Sequence, residues 1–202
     1  MNKSLLFLFP AVLLISADNP AKNAYILSKE YSVTIDGTSS LRNWQEKVGD
    51  VTGDMSAVVN PDGSVDLNSI RIQMKVLSIK SDMGRVMDNK TYEALKAATC
   101  PDILFTVTVP MRLTQIRDCS TAIPVKGELV LAGRRNSVMM LVKTFEVKQG
   151  NLLFEGTQRI NMSDYGVKPP SALFGAMKAG PDITIRFKAN FINQSIANNL
   201  KN

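Results

Sequence analysis

"IRIQMKV" (Ile70–Val76) is the clearest alternation in the chain. Side chains of a β-strand point to opposite faces with a period of two. Ile70, Ile72, Met74 and Val76 therefore share one face, and Arg71, Gln73 and Lys75 the other. One apolar and one polar face describe a strand of a half-buried antiparallel sheet. Just upstream, Val65 and Leu67 are out of phase with this pattern, which predicts a bulge near Asn68–Ser69.

The same period extends in both directions. Tyr31, Val33 and Ile35 share a face, and Val51, Gly53, Met55, Ala57 and Val59 alternate up to the turn signal "NPDG" (Asn60–Gly63). Downstream come Ile103, Phe105, Val107 and Val109, with Pro110 marking an edge or bulge. Then follow Val125, Gly127, Leu129 and Leu131; Val138, Met140 and Val142; a segment around Leu153, Phe154 and Ile160; and finally Ile183, Ile185, Phe187, Ala189 and Phe191. Eight strand-like segments result, mostly joined by short turns such as "GRRN" (Gly133–Asn136), which is the pattern of an antiparallel meander in one domain. Such a sheet buries its apolar face either as a sandwich or by closing into a barrel. A membrane barrel needs aromatic girdles, and aromatics are only 6% of this chain, which disfavours one.

Two connections are long, Ser78–Pro101 and Ser163–Pro181, and both carry large apolar residues. Long connections in compact domains are commonly lids or binding loops. In the first, "MDNKTYEALKAA" (Met87–Ala98) predicts a helix with Asp88 as N-cap, Met87 and Tyr92 as a hydrophobic staple, and Pro101 as its stop. In the second, a short turn of helix is expected near Ser171, after Pro169–Pro170.

The chain of 202 residues, 45% of them hydrophobic, is long enough for one sizeable core. Its formal charge of +6 comes from dispersed Lys and Arg, without the basic block interleaved with aromatics that nucleic-acid binding needs. There is no histidine, which excludes Ser–His and Cys–His nucleophilic pairs and imidazole metal ligands. Lys3 followed by "LLFLFPAVLLI" (Leu5–Ile15) and the small residues Ser16–Ala17 reads as an export signal over 1–17, with the mature domain over 18–202. The apolar run is too short to span a bilayer. Cys100 and Cys119 flank a single strand-like segment, which would hold them tens of ångströms apart at ~3.3 Å per residue, so two unbonded thiols are expected.

Three stretches then act together: "GTSSLRNW" (Gly37–Trp44), "SDMGRVMDNKTYEALKAATCPDILF" (Ser81–Phe105) and "INMSDYGVKPPSALFGAMKAGPDITIRF" (Ile160–Phe187). Their order and spacing resemble the YceI-like family over nearly the whole mature chain. The resemblance implies a mainly β fold, an eight-stranded antiparallel lipocalin-like β-barrel with one or two short helices in its long connections. It also implies an exported bacterial protein, periplasmic or secreted, whose apolar interior takes an isoprenoid or related amphipathic lipid. No cofactor, metal, nucleic acid or membrane-spanning segment after signal cleavage is expected, and a homodimer is left open.

Under that reading the candidate ligand-binding residues are Met83, Met87, Tyr92 and Leu95 in the first long connection. Tyr165, Leu173, Phe174 and Met177 are those of the second, with Trp44 and Phe105 in addition. Asp164 and Tyr165 are candidates to orient a polar head group, although Asp164 is read first as a turn residue. Each apolar candidate is equally a core or plug residue, and on pattern alone a filled core accounts for the Met, Val, Ile and Phe face. An enzyme would draw on Asp82, Asp88, Asp164, Lys168 and Lys178, but nothing joins them into an acid–base pair, and no catalytic residues are assigned. A barrel without ligand is the third reading.

Overall fold

The computed structural model describes residues 23–114, 122–148, 150–172 and 176–194, with side chains of 143–148 and 172 outside that description. The predicted signal, Cys119, Leu173 and Phe174 lie outside the described residues. Cys100 is a free thiol.

The strands are β1 (Asn23–Ser39), β2 (Trp44–Val48), β3 (Val51–Val59), β4 (Val65–Lys75), β5 (Ile79–Ser81), β6 (Asp102–Val107), β7 (Met111–Leu113), β8 (Ile123–Leu131), β9 (Arg134–Lys148), β10 (Asn151–Asn161), β11 (Ser171–Ala172) and β12 (Met177–Asn193). They form one closed sheet with the order β12-β10-β9-β8-β6-β4-β3-β1, and β1 pairs back onto β12. Several pieces are halves of one wall. β3 and β2 both run antiparallel to β1, through Tyr25↔Met55 and Thr34↔Lys47. β4 and β5 continue each other across a short 3-10 helix, Val76–Ser78, opposite β3 and β2. β6 and β7 both pair with β4. The barrel is thus the expected meander of eight antiparallel walls.

The breaks have physical causes. Ser56 pairs with Ser69 and Ala57 with Leu67, so Asn68 is the extra residue of the expected bulge. Pro110 has no N–H to give, and the strand stops after Val107 and resumes at Met111. Between β2 and β3 the Tyr31 hydroxyl donates to Gly49 O (2.8 Å) and accepts from Val51 N (3.1 Å), satisfying backbone groups that the break leaves open. The β8–β9 hairpin turns on Ala132 and Gly133, one residue earlier than "GRRN" suggests, with φ of 49° and 82° at its two central residues.

The helix α1 (Arg85–Ala94) starts earlier than its sequence signals imply. Gly84 is its N-cap, with φ 81°, a conformation open to glycine. Asp88 is therefore not the cap, and Met87 and Tyr92 do not stand in staple positions. The buried Asp88 carboxylate instead accepts from Ser81 N (2.7 Å) and pairs with Lys80 (3.3 Å), fastening α1 to β5. No helix starts at Ser171 among the described residues. Ser171–Ala172 pairs with Met177–Lys178, so the last strand begins at Met177 rather than near Ile183. The short helical turn of this connection is a 3-10 helix at Met162–Tyr165, closed by Gly166 with φ 63°.

Candidate functional site: an apolar tube through the barrel

Three cavities lie inside the barrel and share walls. The innermost, about 110 Å³, is lined by Leu27, Tyr31, Ile70, Ile72, Phe105, Met140 and Phe187 among others. The next, about 90 Å³, shares Val33, Met74, Leu129 and Ile185 with it, and adds Ala94 of α1 and its C-cap Leu95. A third, about 30 Å³, shares Trp44, Glu46, Thr91 and Pro170 with the second, and adds Met83, Met87 and Met177. Because each shares walls with the next, the three form a row, the tube, whose two inner sections are apolar on almost every wall.

This explains a feature of the alternating faces. Ile70, Ile72 and Met74 point inward as their period requires, yet they are only half buried, because they border open space. A filled core would have buried them fully. The interior is therefore open along the tube, while residues such as Val65, Val76, Val107 and Leu152 are packed solid.

α1 walls the outer, narrower sections of the tube. Met87, Thr91, Ala94 and Leu95 form its inward stripe, at helical spacing. Tyr92 faces elsewhere: its hydroxyl lies 3.0 Å from Leu77 O and 2.9 Å from Ile79 O, and takes a hydrogen bond from Lys80 Nζ. It anchors the helix from outside and does not line the cavities.

The "GTSSLRNW" stretch builds the mouth. Gly37 lets the Trp44 indole lie against its backbone: a Cβ at Gly37 would stand 2.1 Å from Trp44 Cζ2. The indole Nε1 donates to Thr38 O at 3.0 Å. Ser39 Oγ donates to Arg42 O (2.7 Å) and accepts from Arg42 N (3.2 Å), closing the turn. Ser40 reaches over to the start of β12, donating to Ala176 O and accepting from Lys178 N. Trp44 and Met177 are thereby held on one rim.

Of the residues singled out in the sequence, Trp44, Met83, Met87, Leu95, Phe105 and Met177 border the tube. Tyr165 is buried, but it borders an outer cleft with Asn136 and Asp164 and not the tube. Burial, with Asp164 next in effect, pushes its phenol above the ordinary value. Asp164 sits in the 3-10 turn, where its carbonyl accepts from Asn136. Neither is placed to meet a head group inside the barrel.

Sequence reasoning passed over one group. Glu46, only 5% exposed, lies on the inner face of β2 between Trp44 and Val48 and borders two sections of the tube. Its Oε1 accepts from the Thr91 hydroxyl of α1 at 2.5 Å. Burial, followed by the nearby Asp88 and Asp82 charges, pushes its carboxyl above the ordinary range, against the opposing effect of Thr91. The phase of Trp44, Glu46 and Val48 was the signal that could have revealed it.

The family model described as "YceI-like domain" matches residues 28–191. Among solved structures, Burkholderia cenocepacia BcnA superposes with a TM-score of 0.58 at 15% identity, covering 79% of this chain and 95% of that one. A polyisoprenoid binding domain from Saccharophagus degradans, described as implicated in plant cell wall breakdown, gives 0.57 at 10% identity, covering 86% and 99%. The Campylobacter jejuni YCEI protein gives 0.52 at 17% identity, covering 74% and 84%. These likenesses establish a shared fold. No curated protein matches the sequence.

Proposed function

This chain belongs to the YceI-like family, and on that premise we propose that its barrel binds an isoprenoid or related long-chain amphiphile. The observation that carries the reading is the series of three neighbouring cavities inside the barrel, each sharing wall residues with the next, with inward aliphatic, Met and Phe side chains as their walls. A narrow apolar tube suits a slender flexible chain. Burying such a chain gains about 0.8 kcal/mol per CH₂, enough to exceed the cost of association for a long tail. A neighbour of the same fold described as a polyisoprenoid binding domain supports this choice of ligand.

The role is binding, as carrier, store or sensor, rather than catalysis. The export signal read over 1–17 supports a periplasmic or secreted protein, which suits a lipid carrier. The mass of the protein recovered from that compartment tests it: a mature chain starting at Asp18 is expected, and retention of residues 1–17 would overturn the processing.

Organic extraction of the purified protein from a bacterial host, followed by mass spectrometry, tests the ligand. A stoichiometric amphiphile is expected. Added prenyl lipid at about 100 times its Kd should stabilise the fold by ~2.7 kcal/mol. A clean extract together with no thermal stabilisation by prenyl lipids would refute the reading.

A further inference from the structure

We propose that Glu46 and Thr91 form the head-group site of the tube, and that it takes an uncharged group bearing a hydrogen-bond acceptor, such as a carbonyl, rather than a phosphate or carboxylate. The proposal rests on the reading that the tube holds an amphiphile, and adds which end goes where and which chemistry that end carries.

β2 turns Trp44, Glu46 and Val48 to the interior, and Glu46 thereby borders both outer sections of the tube. A carboxyl in an apolar wall is costly unless it is paired or neutral. Its side chain has one hydrogen-bond partner among the described residues, the Thr91 hydroxyl, which donates to Oε1. No cation among the described residues pairs with it. The charges that act on it are Asp88 on α1 and Asp82 before α1, and on the flanking strands Asp36 of β1 and Lys80 of β5 each stand one residue from its paired positions, Ile35 and Ser81. Asp36 pairs with Arg186, Lys80 pairs with Asp88, and Asp82 faces Arg42 at 3.9 Å.

Those facts set the chemistry. With Oε1 occupied by Thr91, a neutral Glu46 has its Oε2–H to give, and the tube is where it can be given. A ketone or amide oxygen arriving on an apolar chain can accept that hydrogen. An anionic head would be buried beside the Asp88 and Asp82 carboxylates, which oppose its charge, with no free cation at the site among the described residues to offset it. A phosphate would be drawn instead to the surface cleft of Lys90, Lys96 and Lys168, which opens on the far side of Ala94 and Pro170.

Trp44, the single tryptophan, borders the same two sections and reports binding by its fluorescence. Three probes share nearly one chain: farnesylacetone, farnesene and farnesyl phosphate. Farnesylacetone should bind about fivefold or more tighter than farnesene, the worth of one good hydrogen bond, and tighter than farnesyl phosphate. Its affinity should fall as rising pH ionises Glu46, while that of farnesene stays level. Glu46→Gln keeps a donor and should keep the ketone preference without the pH dependence. Glu46→Leu should bind ketone and hydrocarbon alike. A phosphate preference in the wild type, or a ketone preference that survives Glu46→Leu, overturns the head-group site while leaving the tube intact. If none of the three probes binds, the tube reading falls and the head-group site with it.

Discussion

Replacing Gly37 by alanine should loosen the rim of the tube. The backbone of Gly37 lies outside the left-handed region, so an alanine there meets no intrinsic strain. Its cost comes from one neighbour. The new Cβ would sit 2.1 Å from Trp44 Cζ2 and 2.4 Å from Cε2, where carbons prefer about 3.5–4.0 Å. The indole must move by more than an ångström, and with it goes the 3.0 Å bond to Thr38 O. Overpacking costs about 1–3 kcal/mol and a lost hydrogen bond about 1 kcal/mol. Together these come to about 2–4 kcal/mol, or a fall in Tm of roughly 5–15 °C for a chain of this size. Thermal unfolding followed by circular dichroism gives the Tm, and Trp44 emission reports whether the indole has moved. A double-mutant cycle locates the cause: in a Trp44→Ala background, Gly37→Ala should cost close to nothing. If its penalty persists there, or if Gly37→Ala leaves both Tm and emission unchanged, the indole does not depend on the missing side chain.

Other outcomes follow from the same geometry. Met74 borders both inner sections, so Met74→Trp should block the passage and cut retention of a long-chain amphiphile at least about tenfold, read by extraction and mass spectrometry of the folded variant; unchanged retention would mean the sections do not connect there. Burial raises the folded-state pKa of Glu46, so its contribution to stability is full below the unfolded value of about 4.5 and is lost as pH rises through the folded one. Glu46→Gln should therefore gain stability relative to wild type between pH 4 and pH 8 in urea titrations, and a constant difference would contradict a raised carboxyl. Asp102 is held below its ordinary range, chiefly by Lys75 across the strand pair at 2.8 Å, with Gln73 adding to it. That contribution is present above the unfolded pKa and is lost as pH falls through the folded one, so Lys75→Met should destabilise the protein more at pH 6 than at pH 3.

The walls of the barrel were legible because strand periodicity is local. Ile70–Val76 declared its faces, and the phase slip at Val65 and Leu67 located the bulge to Asn68. Where reasoning slipped, a stronger non-local partner had decided. Asp88 has the chemistry of an N-cap, but Gly84 allows the chain to turn into the helix earlier, and the carboxylate goes to Ser81 and Lys80. Tyr92 has the apolar bulk of a lining residue, but its hydroxyl finds two backbone carbonyls outside the tube. Glu46 escaped notice because a charged residue in a strand is ordinarily outward, although the register of β2 placed it within.

By itself, then, the sequence determined which side chains point inward, how many walls the meander has, and that two long connections carry large apolar residues. Each of these depends on dihedral alternation and turn chemistry within a few residues. Whether the inward faces meet or stand apart was decided only by the closed barrel. That depends on how Ile72, Met74, Phe105, Leu129 and Phe187, drawn from different walls, divide one shared volume. The same closure placed a carboxyl from β2 against a hydroxyl from α1, 45 residues apart in the chain, on the wall of an otherwise apolar tube.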